Sequence, residues 1–251
     1  MTDIHCHILP GLYDGAPDYE AALEMIRIAE KEGVGCIVAT PHCIDFPDED
    51  IFGVLSNLKE LASGQGCNVE LLAGSEIYIN PDLPRMAKDN KIISINRSRY
   101  VLVELPMLDM PLYTLDVVYE LRLIGFVPVI AHPERYKYVI GNPNIVKGLI
   151  DAGALCQVNS GSITGRYGKA VEKTVHTLLR HNMVHFAASD AHSPNHRPPR
   201  LKKAYEITEE CYGKDKAHKL FCGNPYAAVK NEDIEIEEPI AVKKRKWFFL
   251  K

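Results

Sequence analysis

The stretch Asp3-Ile4-His5-Cys6-His7, near the start of the chain, has a counterpart far downstream in Ala188-Ser189-Asp190-Ala191-His192. In a β-strand, residues two apart project from the same face, so each stretch can direct two side chains toward one point. Imidazole nitrogens and carboxylate oxygens are ligands for divalent zinc, manganese and iron. The two stretches therefore predict a metal site assembled from strands at both ends of the chain.

Between these two stretches, short apolar runs that predict strands alternate with amphipathic stretches that predict helices. Gly33, Gly125 and Gly153 follow the last turn of three such helices, where glycine is common, and Asp18 is a suitable N-cap for the first helix. The predicted strands are Thr2–Ile8, Cys36–Pro41, Val69–Ile77, Tyr100–Leu105, Val127–Ala131, Leu155–Asn159 and His185–Ser189, and the predicted helices are 18–32, 51–62, 82–89, 112–124, 143–152 and 168–182, with further helices after residue 200.

Repeated strand–helix alternation favours parallel strands joined by crossover helices. Runs such as Tyr100–Leu105 are apolar almost throughout, which suits strands that are buried on both faces. Nearly every predicted strand ends in a polar side chain, and (β/α) barrels carry their active sites at those strand ends. We therefore predict a single α/β domain, a closed or nearly closed barrel of seven strands, over residues 1–240, with a tail over residues 241–251.

Composition excludes several classes of protein. The chain has 251 residues, of which 46% are hydrophobic and 25% charged, with a net charge of −4. These values are typical of soluble globular proteins and argue against general nucleic-acid binding. No apolar run is long enough to span a membrane, and the metal motif leaves no room for a signal peptide, which predicts a cytoplasmic protein. The seven scattered cysteines form no Cys-x-x-Cys pair and predict neither disulfides nor a thiolate zinc site.

The ends of the predicted strands, with one loop residue, supply more candidate ligands than one ion can use. A single zinc ion takes three or four protein ligands, so a larger set predicts a centre of two or three ions, which can hold both oxygens of a phosphoryl transfer. Any one of these residues alone is more often a surface group, and only the joint pattern favours a metal centre. The nine candidates are His5, His7, Asp14, His42, Glu76, Glu104, His132, Asp190 and His192.

Other polar residues have less certain roles. Arg135 and Arg197 lie close in sequence to His132 and His192, and a guanidinium group matches the oxygens of a phosphate; spacing alone favours an exposed surface arginine equally. Residues 159–162 either support the site or form a polar turn. The remaining histidines are predicted to be surface or structural residues, with His196 either at the pocket rim or in a solvated loop; the others are His176, His181, His185 and His218.

Seven motifs together resemble one known superfamily. They are Asp-Ile-His-Cys-His-Ile-Leu-Pro-Gly (3–11), Ala-Thr-Pro-His (39–42), Gly-Ser-Glu (74–76), Val-Glu-Leu-Pro (103–106), Ile-Ala-His-Pro-Glu-Arg (130–135), Asn-Ser-Gly-Ser (159–162) and Ala-Ser-Asp-Ala-His (188–192). In this order they resemble the polymerase-and-histidinol-phosphatase (PHP) superfamily. More narrowly, they are similar to the CpsB/CapC/YwqE-type bacterial tyrosine-protein phosphatases, over residues 1–230 and a basic-aromatic tail.

This resemblance implies a distorted (β/α)7 barrel of the PHP type that holds three divalent ions, with manganese expected and iron or zinc as alternatives. Carried over by motif, the first ion would be held by His5, His7, Glu76 and Asp190, the second by Glu76, Glu104 and His132, and the third by Asp14, His42 and His192. Arg135 and Arg197 would bind the phosphate. The family usually has Asp-Asp-Gly-Ala where this chain has Tyr13-Asp14-Gly15-Ala16, so Tyr13 is either a rim residue or a surface tyrosine.

The ligand set, the two arginines and the resemblance together predict hydrolysis of phosphotyrosine by a metal-activated hydroxide, with His42 or Asp190 protonating the leaving oxygen. The implied substrate is an autophosphorylated, membrane-associated bacterial tyrosine kinase of capsular or exopolysaccharide synthesis. The alternatives are histidinol-phosphate phosphatase or another PHP phosphoesterase, and a metal-bound non-catalytic scaffold that docks a kinase.

The tail combines positive charge with aromatic residues. Lys243, Lys244, Arg245 and Lys246 precede Trp247, Phe248 and Phe249, a composition that suits contact with a partner or with the inner face of the membrane. The alternative is an end that only aids solubility.

Overall fold

The structure is a computed structural model that describes residues 1–43 and 50–243. Its strands are β1 (Thr2–Cys6), β2 (Cys36–Ala39), β3 (His42–Cys43), β4 (Glu70–Ala73), β5 (Glu76–Tyr78), β6 (Tyr100–Glu104), β7 (Val127–Ala131), β8 (Leu155–Asn159) and β9 (Phe186–Ala188). Its helices are α1 (Tyr19–Lys31), α2 (Ile51–Gly64), α3 (Leu83–Lys88), α4 (Thr114–Leu123), α5 (Lys137–Gly141), α6 (Asn144–Asp151), α7 (Ser160–Ile163), α8 (Lys169–Arg180), α9 (Lys202–Tyr212), α10 (Lys214–His218) and α11 (Asn224–Val229).

The strands form two parallel sheets, with the orders β1-β2-β4 and β3-β5-β6-β7-β8-β9. The predicted parallel pairing is confirmed in every strand pair of these sheets. The predicted strand Cys36–Pro41 ends at Ala39 and is followed by the separate short strand β3, whereas the predicted strand Val69–Ile77 is interrupted between β4 and β5. Pro41 lies between β2 and β3 and has no N–H to donate. Gly74 lies between β4 and β5, where a Cβ atom would stand 2.8 Å from Val38 Cγ1.

The edge of the six-stranded sheet meets the first strand of the other sheet. Asp190 N donates to His5 O across 2.8 Å, and His7 N donates to Ala191 O across 2.7 Å. The Asp3 carboxylate, which is buried, accepts from Ser189 N across 2.9 Å. These hydrogen bonds bring the two motifs from opposite ends of the chain side by side.

Strands β1, β7, β8 and β9 are buried along their whole length, and β6 almost so, as the apolar runs predicted. In β6, Val101 and Val103 belong to the larger cluster of buried residues, whereas Tyr100 and Leu102 belong to the smaller one. Alternation between two cores is expected of a strand that has apolar neighbours on both sides. Strand order and burial together therefore give an α/β fold whose parallel strands lie between two apolar layers.

The helices follow the predicted pattern, with differences at their ends. The side chain of Asp18 caps α1 by accepting from Ala21 N across 2.8 Å, which confirms the predicted N-cap. Helices α5 and α7 were not predicted, because four or five residues are too few to show a helical period. Within the described residues, no helix combines the length and the apolar character that crossing a membrane requires.

The last described residues pack along the domain. Val242 N donates to Asn144 Oδ1 across 2.8 Å, and the Asn144 amide donates to Val242 O across 3.0 Å. Ile240 N also donates to His181 O. Of the tail residues predicted to contact a partner or the membrane, only Lys243 lies among the described residues. Lys244 to Phe249 lie outside them.

Candidate metal centre

All nine predicted ligands meet at one end of the parallel strands. Their potential ligand atoms form four overlapping groups, and within each group the atoms lie within 4.8 Å of one another. The groups are His7, Asp14, His42 and His192; His5, His7 and Asp190; His5, Glu76 and His132; and His42, Glu76 and Glu104. The convergence predicted from the strand ends is thus present in the fold.

Glu76 lies at the middle of the cluster and is almost completely buried. Its Oε2 atom is 3.2 Å from His5 Nε2, 3.2 Å from His7 Nε2 and 3.2 Å from His42 Nδ1. Its Oε1 atom is 3.0 Å from His132 Nε2. A carboxylate with imidazoles around both oxygens can contribute to more than one ion.

Asp190 lies between the imidazoles and the two predicted phosphate-binding arginines. Its Oδ1 atom is 3.5 Å from His5 Nε2. Its Oδ2 atom accepts from Arg135 Nη1 across 2.9 Å, from Asn159 Nδ2 across 2.6 Å and from Arg197. The two arginines are therefore placed beside the candidate ligands, as predicted, and both contact the same carboxylate oxygen.

Asp14 lies at the mouth of the cluster, with about half of its side chain exposed. Its Oδ2 atom is 3.0 Å from His192 Nε2 and 3.7 Å from His42 Nε2, and its Oδ1 atom is 3.4 Å from His7 Nδ1. The next residue, Gly15, has no room for a side chain, because a Cβ atom would stand 2.8 Å from His7 O. The Asp-Gly pair thus lets the loop fold tightly over the first strand end.

Charge in the cluster is balanced between imidazoles and carboxylates. Burial lowers the pKa of His5, but the carboxylates of Glu76 and Asp190 outweigh it and raise that pKa to about 10. Burial raises the pKa of Asp190, but His5 and other cations hold it below its usual range. Burial and repulsion from Glu76 raise the pKa of Glu104. The carboxylates therefore require nearby positive charge, which protons or metal ions can supply.

The residues fit a divalent metal centre. Nδ1 of His132 is buried and has no hydrogen-bond partner among the described residues, and Nδ1 of His7, also buried, faces the Asp14 carboxylate 3.4 Å away. The Nε2 atoms of His5 and His7 lie 3.2 Å apart, with carboxylate oxygens around them. Five imidazoles and four carboxylates form a donor set that manganese, iron and zinc accept.

Three residues of the site have a backbone conformation that is unfavourable for side chains other than glycine. The φ angles are 33° at His132, 52° at Asp190 and 49° at Tyr13. Residues in this left-handed region are uncommon and concentrate at functional sites. His132 and Asp190 immediately follow a strand or its short extension, so this turn of the backbone directs their side chains toward the cluster.

Two residues that support the site had no assigned role from the sequence: Gln157 was missed, and the role of Asn159 was left open. Gln157 Oε1 is 2.8 Å from His5 Nδ1, and the Gln157 amide donates to Asn159 Oδ1. Asn159 in turn donates to Asp190. A detectable signal was present, because Gln157 and Asn159 are two apart in an otherwise apolar run, which places them on one face of β8.

Glu134 was also missed. It is completely buried and accepts from Asn159 N across 2.9 Å and from Ser162 Oγ across 2.5 Å. Burial raises the pKa of this carboxyl group. Residues 159–162, which sequence left as either support or a polar turn, therefore support the site through Asn159 and Ser162.

The remaining histidines lie outside the four ligand groups. His185 is buried and accepts from Cys156 N through Nδ1, whereas His196 is exposed in a loop. Tyr13 is about half exposed, and its ring stands edge-on to that of His42 with 6.5 Å between the ring centroids. Tyr13 is thus a rim residue of the cluster.

Several known proteins have a similar sequence, a similar fold or both. Tyrosine-protein phosphatase YwqE of Bacillus subtilis is 34% identical over 252 residues, covering 99% of each chain. Tyrosine-protein phosphatase CpsB of Streptococcus pneumoniae is 31% identical, covering 92% of this chain and 99% of that protein. Organophosphorus hydrolase, with a TM-score of 0.58 and 11% identity, shares the fold alone.

A solved structure and a family description agree with these relatives. The structure comes from work on YwqE of Bacillus subtilis and CpsB of Streptococcus pneumoniae, described as unique metal-dependent tyrosine phosphatases. It superposes with a TM-score of 0.93 at 33% identity and covers 97% of this chain and 100% of its own. Residues 1–230 match the family described as "Capsular polysaccharide synthesis, CpsB/CapC". The chain belongs to the CpsB/CapC family.

Proposed function

We propose that this chain is a metal-dependent protein-tyrosine phosphatase whose substrate is an autophosphorylated bacterial tyrosine kinase of capsular or exopolysaccharide synthesis. The observation that carries the proposal is the contact of Arg135 and Arg197 with Asp190, at the edge of nine converging candidate ligands. This places two guanidinium groups, which suit phosphate, beside a centre that suits divalent ions. The named tyrosine-protein phosphatases among the relatives support the same activity.

The fold proposed for this activity is a distorted (β/α)7 barrel of the PHP type. Strands β2 and β3 would together form one interrupted barrel strand, and β4 and β5 another. The nine observed strands would then correspond to seven barrel strands. The hydrogen bonds from Asp190 N to His5 O and from His7 N to Ala191 O support joining the last barrel strand to the first.

The proposed centre holds three divalent ions, with manganese first and iron or zinc as alternatives. His5, His7, Glu76 and Asp190 would hold one ion; Glu76, Glu104 and His132 a second; and Asp14, His42 and His192 a third. The overlap of the four observed ligand groups at Glu76 and the histidines supports this shared arrangement. When bound, such ions act as Lewis acids and lower the pKa of water.

The two arginines would bind the phosphoryl group. Arg135 and Arg197 now donate to one oxygen of Asp190, and about a quarter of each side chain is exposed. A phosphoryl group at this edge would receive the same donors, and guanidinium groups stabilise the charge that develops on its oxygens. Asp190 would hold both arginines in position until the substrate enters.

Of the two predicted proton donors, His42 is the better placed. Asp190 is buried and accepts from three donors, so protonation of this carboxyl group is unfavourable. His42 lies nearer the mouth, with 22% of its side chain exposed, where the leaving phenolate would depart. Because His42 would also hold the third ion, we propose that it positions that oxygen rather than protonating it.

The proposal is tested by metal analysis together with turnover. Metal-replete full chain should contain two or three ions and hydrolyse phosphotyrosine peptides faster than histidinol phosphate. His132→Ala should lose metal and activity together, whereas Arg135→Ala should lose activity and keep its metal. A preference for histidinol phosphate would favour the histidinol-phosphatase alternative, and full metal content without any turnover would favour the scaffold. Fewer than two ions per chain would contradict the proposed centre.

We propose a cytoplasmic location in which the tail contacts the kinase or the inner face of the membrane. The test is deletion of residues 243–251, which leaves the hydrogen bonds of Val242 with Asn144 in place. The deletion should weaken binding to anionic liposomes or to the kinase and leave hydrolysis of a small aryl phosphate unchanged. Loss of both together would show that the tail is structural.

A further inference from the structure

A second basic cavity adjoins the candidate metal centre. It has a volume of about 250 Å³, and its wall includes Arg166, Tyr167, Arg197, Arg200 and Lys203. Arg197 belongs to both sites, since it also contacts Asp190 and lies 3.1 Å from His192 Nε2 through Nη1. The cavity is therefore continuous with the position that we propose for the phosphoryl group.

The positive charges in the cavity wall are largely unpaired with carboxylates of the described residues. Arg166 and Arg200 are exposed, and within residues 1–43 and 50–243 neither forms an ion pair. Lys203 has one acidic neighbour, Glu206 Oε2 at 3.6 Å, and both of these side chains are largely exposed. No carboxylate of the described chain lines the cavity wall. An anionic group that enters would meet three cations besides Arg197.

The cavity lies where substrate residues beside the phosphotyrosine would pass, not where the reacting atoms would meet. Tyr167 lies between the two sites, because the Arg135 guanidinium is 5.0 Å from the centroid of its ring. An extended peptide advances about 3.3 Å per residue. With phosphotyrosine at Arg135 and Arg197, a side chain one or two residues away can therefore reach past Tyr167 into the cavity.

We propose that this cavity is a specificity subsite for an acidic side chain, Asp or Glu, that flanks the phosphotyrosine of the substrate. The inference rests on the proposed function, because it takes the position of the phosphotyrosine from it. Guanidinium groups favour carboxylates through paired hydrogen bonds, and Arg166 and Arg200 would supply them. Because these charges are exposed, the preference should weaken as the salt concentration rises.

The test compares two phosphotyrosine peptides that differ only in having Glu or Gln on both sides of the phosphotyrosine. The manganese-loaded full chain should show a kcat/KM about five- to tenfold higher for the Glu peptide at low salt, as expected for two partly exposed ion pairs. In the double variant Arg166→Gln, Arg200→Gln the ratio should fall toward one, mainly through KM for the Glu peptide.

The matched control is the double variant Lys169→Gln, Lys202→Gln. It removes the same charge from neighbouring exposed positions that are not part of the cavity wall, and it should keep the Glu preference. Equal kcat/KM for both peptides in the unmodified chain, or an equal loss of preference in both double variants, would overturn the subsite.

Failure of the proposed function has a separate signature. A chain that hydrolyses neither peptide contradicts the phosphatase activity. The subsite is then decided by the Kd of the same peptide pair carrying a non-hydrolysable phosphonate in place of the phosphate, with the same ratios expected.

Discussion

Arg135 Nη1 donates to Asp190 Oδ2 across 2.9 Å, although the two residues are 55 positions apart in sequence. Asp190 itself follows the strand β9, and its other oxygen faces His5. One carboxylate thus links a candidate phosphate-binding group to a candidate metal ligand. This hydrogen bond places Arg135 at the candidate metal centre, which its spacing from His132 alone could not establish.

Replacing Arg135 by lysine should lower kcat/KM for a small aryl phosphate by about 10²-fold, as expected when one donor to a developing anion is lost. Lysine keeps the charge but not the planar pair of donors. The measurement is steady-state kinetics on the manganese-loaded protein, with metal content as the control. Retained kinetics would contradict the role in phosphate binding, and a fall in metal content would assign Arg135 to support of Asp190 instead.

Replacing Gln157 by leucine should weaken metal binding by about 10- to 100-fold, the usual effect of removing a residue that orients a metal-binding histidine. The reason is the loss of the 2.8 Å contact between Gln157 Oε1 and His5 Nδ1. Metal titration measures the affinity, and activity should recover at high manganese concentration. Unchanged affinity would mean that packing alone orients His5.

Replacing Tyr136 by phenylalanine should destabilise the fold by about 1–3 kcal/mol, because it leaves buried backbone groups unpaired. The Tyr136 hydroxyl donates to Ala131 O across 2.7 Å and accepts from Leu105 N across 2.9 Å. The matched control is Tyr138→Phe. The hydroxyl of Tyr138 is buried without a hydrogen-bond partner among the described residues, so its removal leaves no group unpaired and should not destabilise the fold. Urea unfolding of the two variants tests the difference.

His185 should make the fold less stable in acid. Burial, with Lys219 nearby, lowers the pKa of His185 from 6.5 to about 4. The unfolded chain therefore binds a proton over a range of pH in which the folded chain does not. The stability that depends on this difference is complete above pH 6.5 and is lost as the pH falls toward 4, by about 3 kcal/mol at roughly 1.4 kcal/mol per pKa unit.

The variant His185→Asn isolates this effect. An asparagine oxygen can accept from Cys156 N in place of Nδ1, but it does not titrate. Urea unfolding at pH 7.5 and pH 4.5 should show a smaller loss of stability in the variant than in the unmodified chain. Equal losses would place the acid sensitivity elsewhere, for example in the metal centre.

The sequence predicted those parts of the molecule that depend on short-range pattern. Parallel strands, the cap at Asp18 and the buried face of α1 follow from residue periodicity. The convergence of the nine candidate ligands follows from a general property of parallel strands, whose carboxyl ends share one edge. The motifs therefore indicate which residues converge in the candidate site.

Other parts depend on contacts that residue spacing does not encode. The end of β2 before Pro41 reflects the missing N–H of proline, and the break at Gly74 lies where the chain approaches Val38 of a neighbouring strand. The predicted run Val69–Ile77 shows no interruption at Gly74. Glu134 resembles any acidic residue after a strand, and only the fold shows that Asn159 N and Ser162 Oγ surround it. The basic cavity combines residues from two separate loops and two helices, so no single motif contains it.

The hydrogen bonds between β1 and the end of β9 also constrain the order in which the molecule can be assembled during translation. His5 and His7 leave the ribosome before Asp190, which follows more than 180 residues later. Pairings so distant in sequence form slowly, because the entropy cost of closing a long loop must be met before any stabilising contact forms. The complete set of candidate ligands therefore comes together only after residue 192 has been synthesised, so metal binding by this set would be a late event that requires correct pairing of the first and last strands.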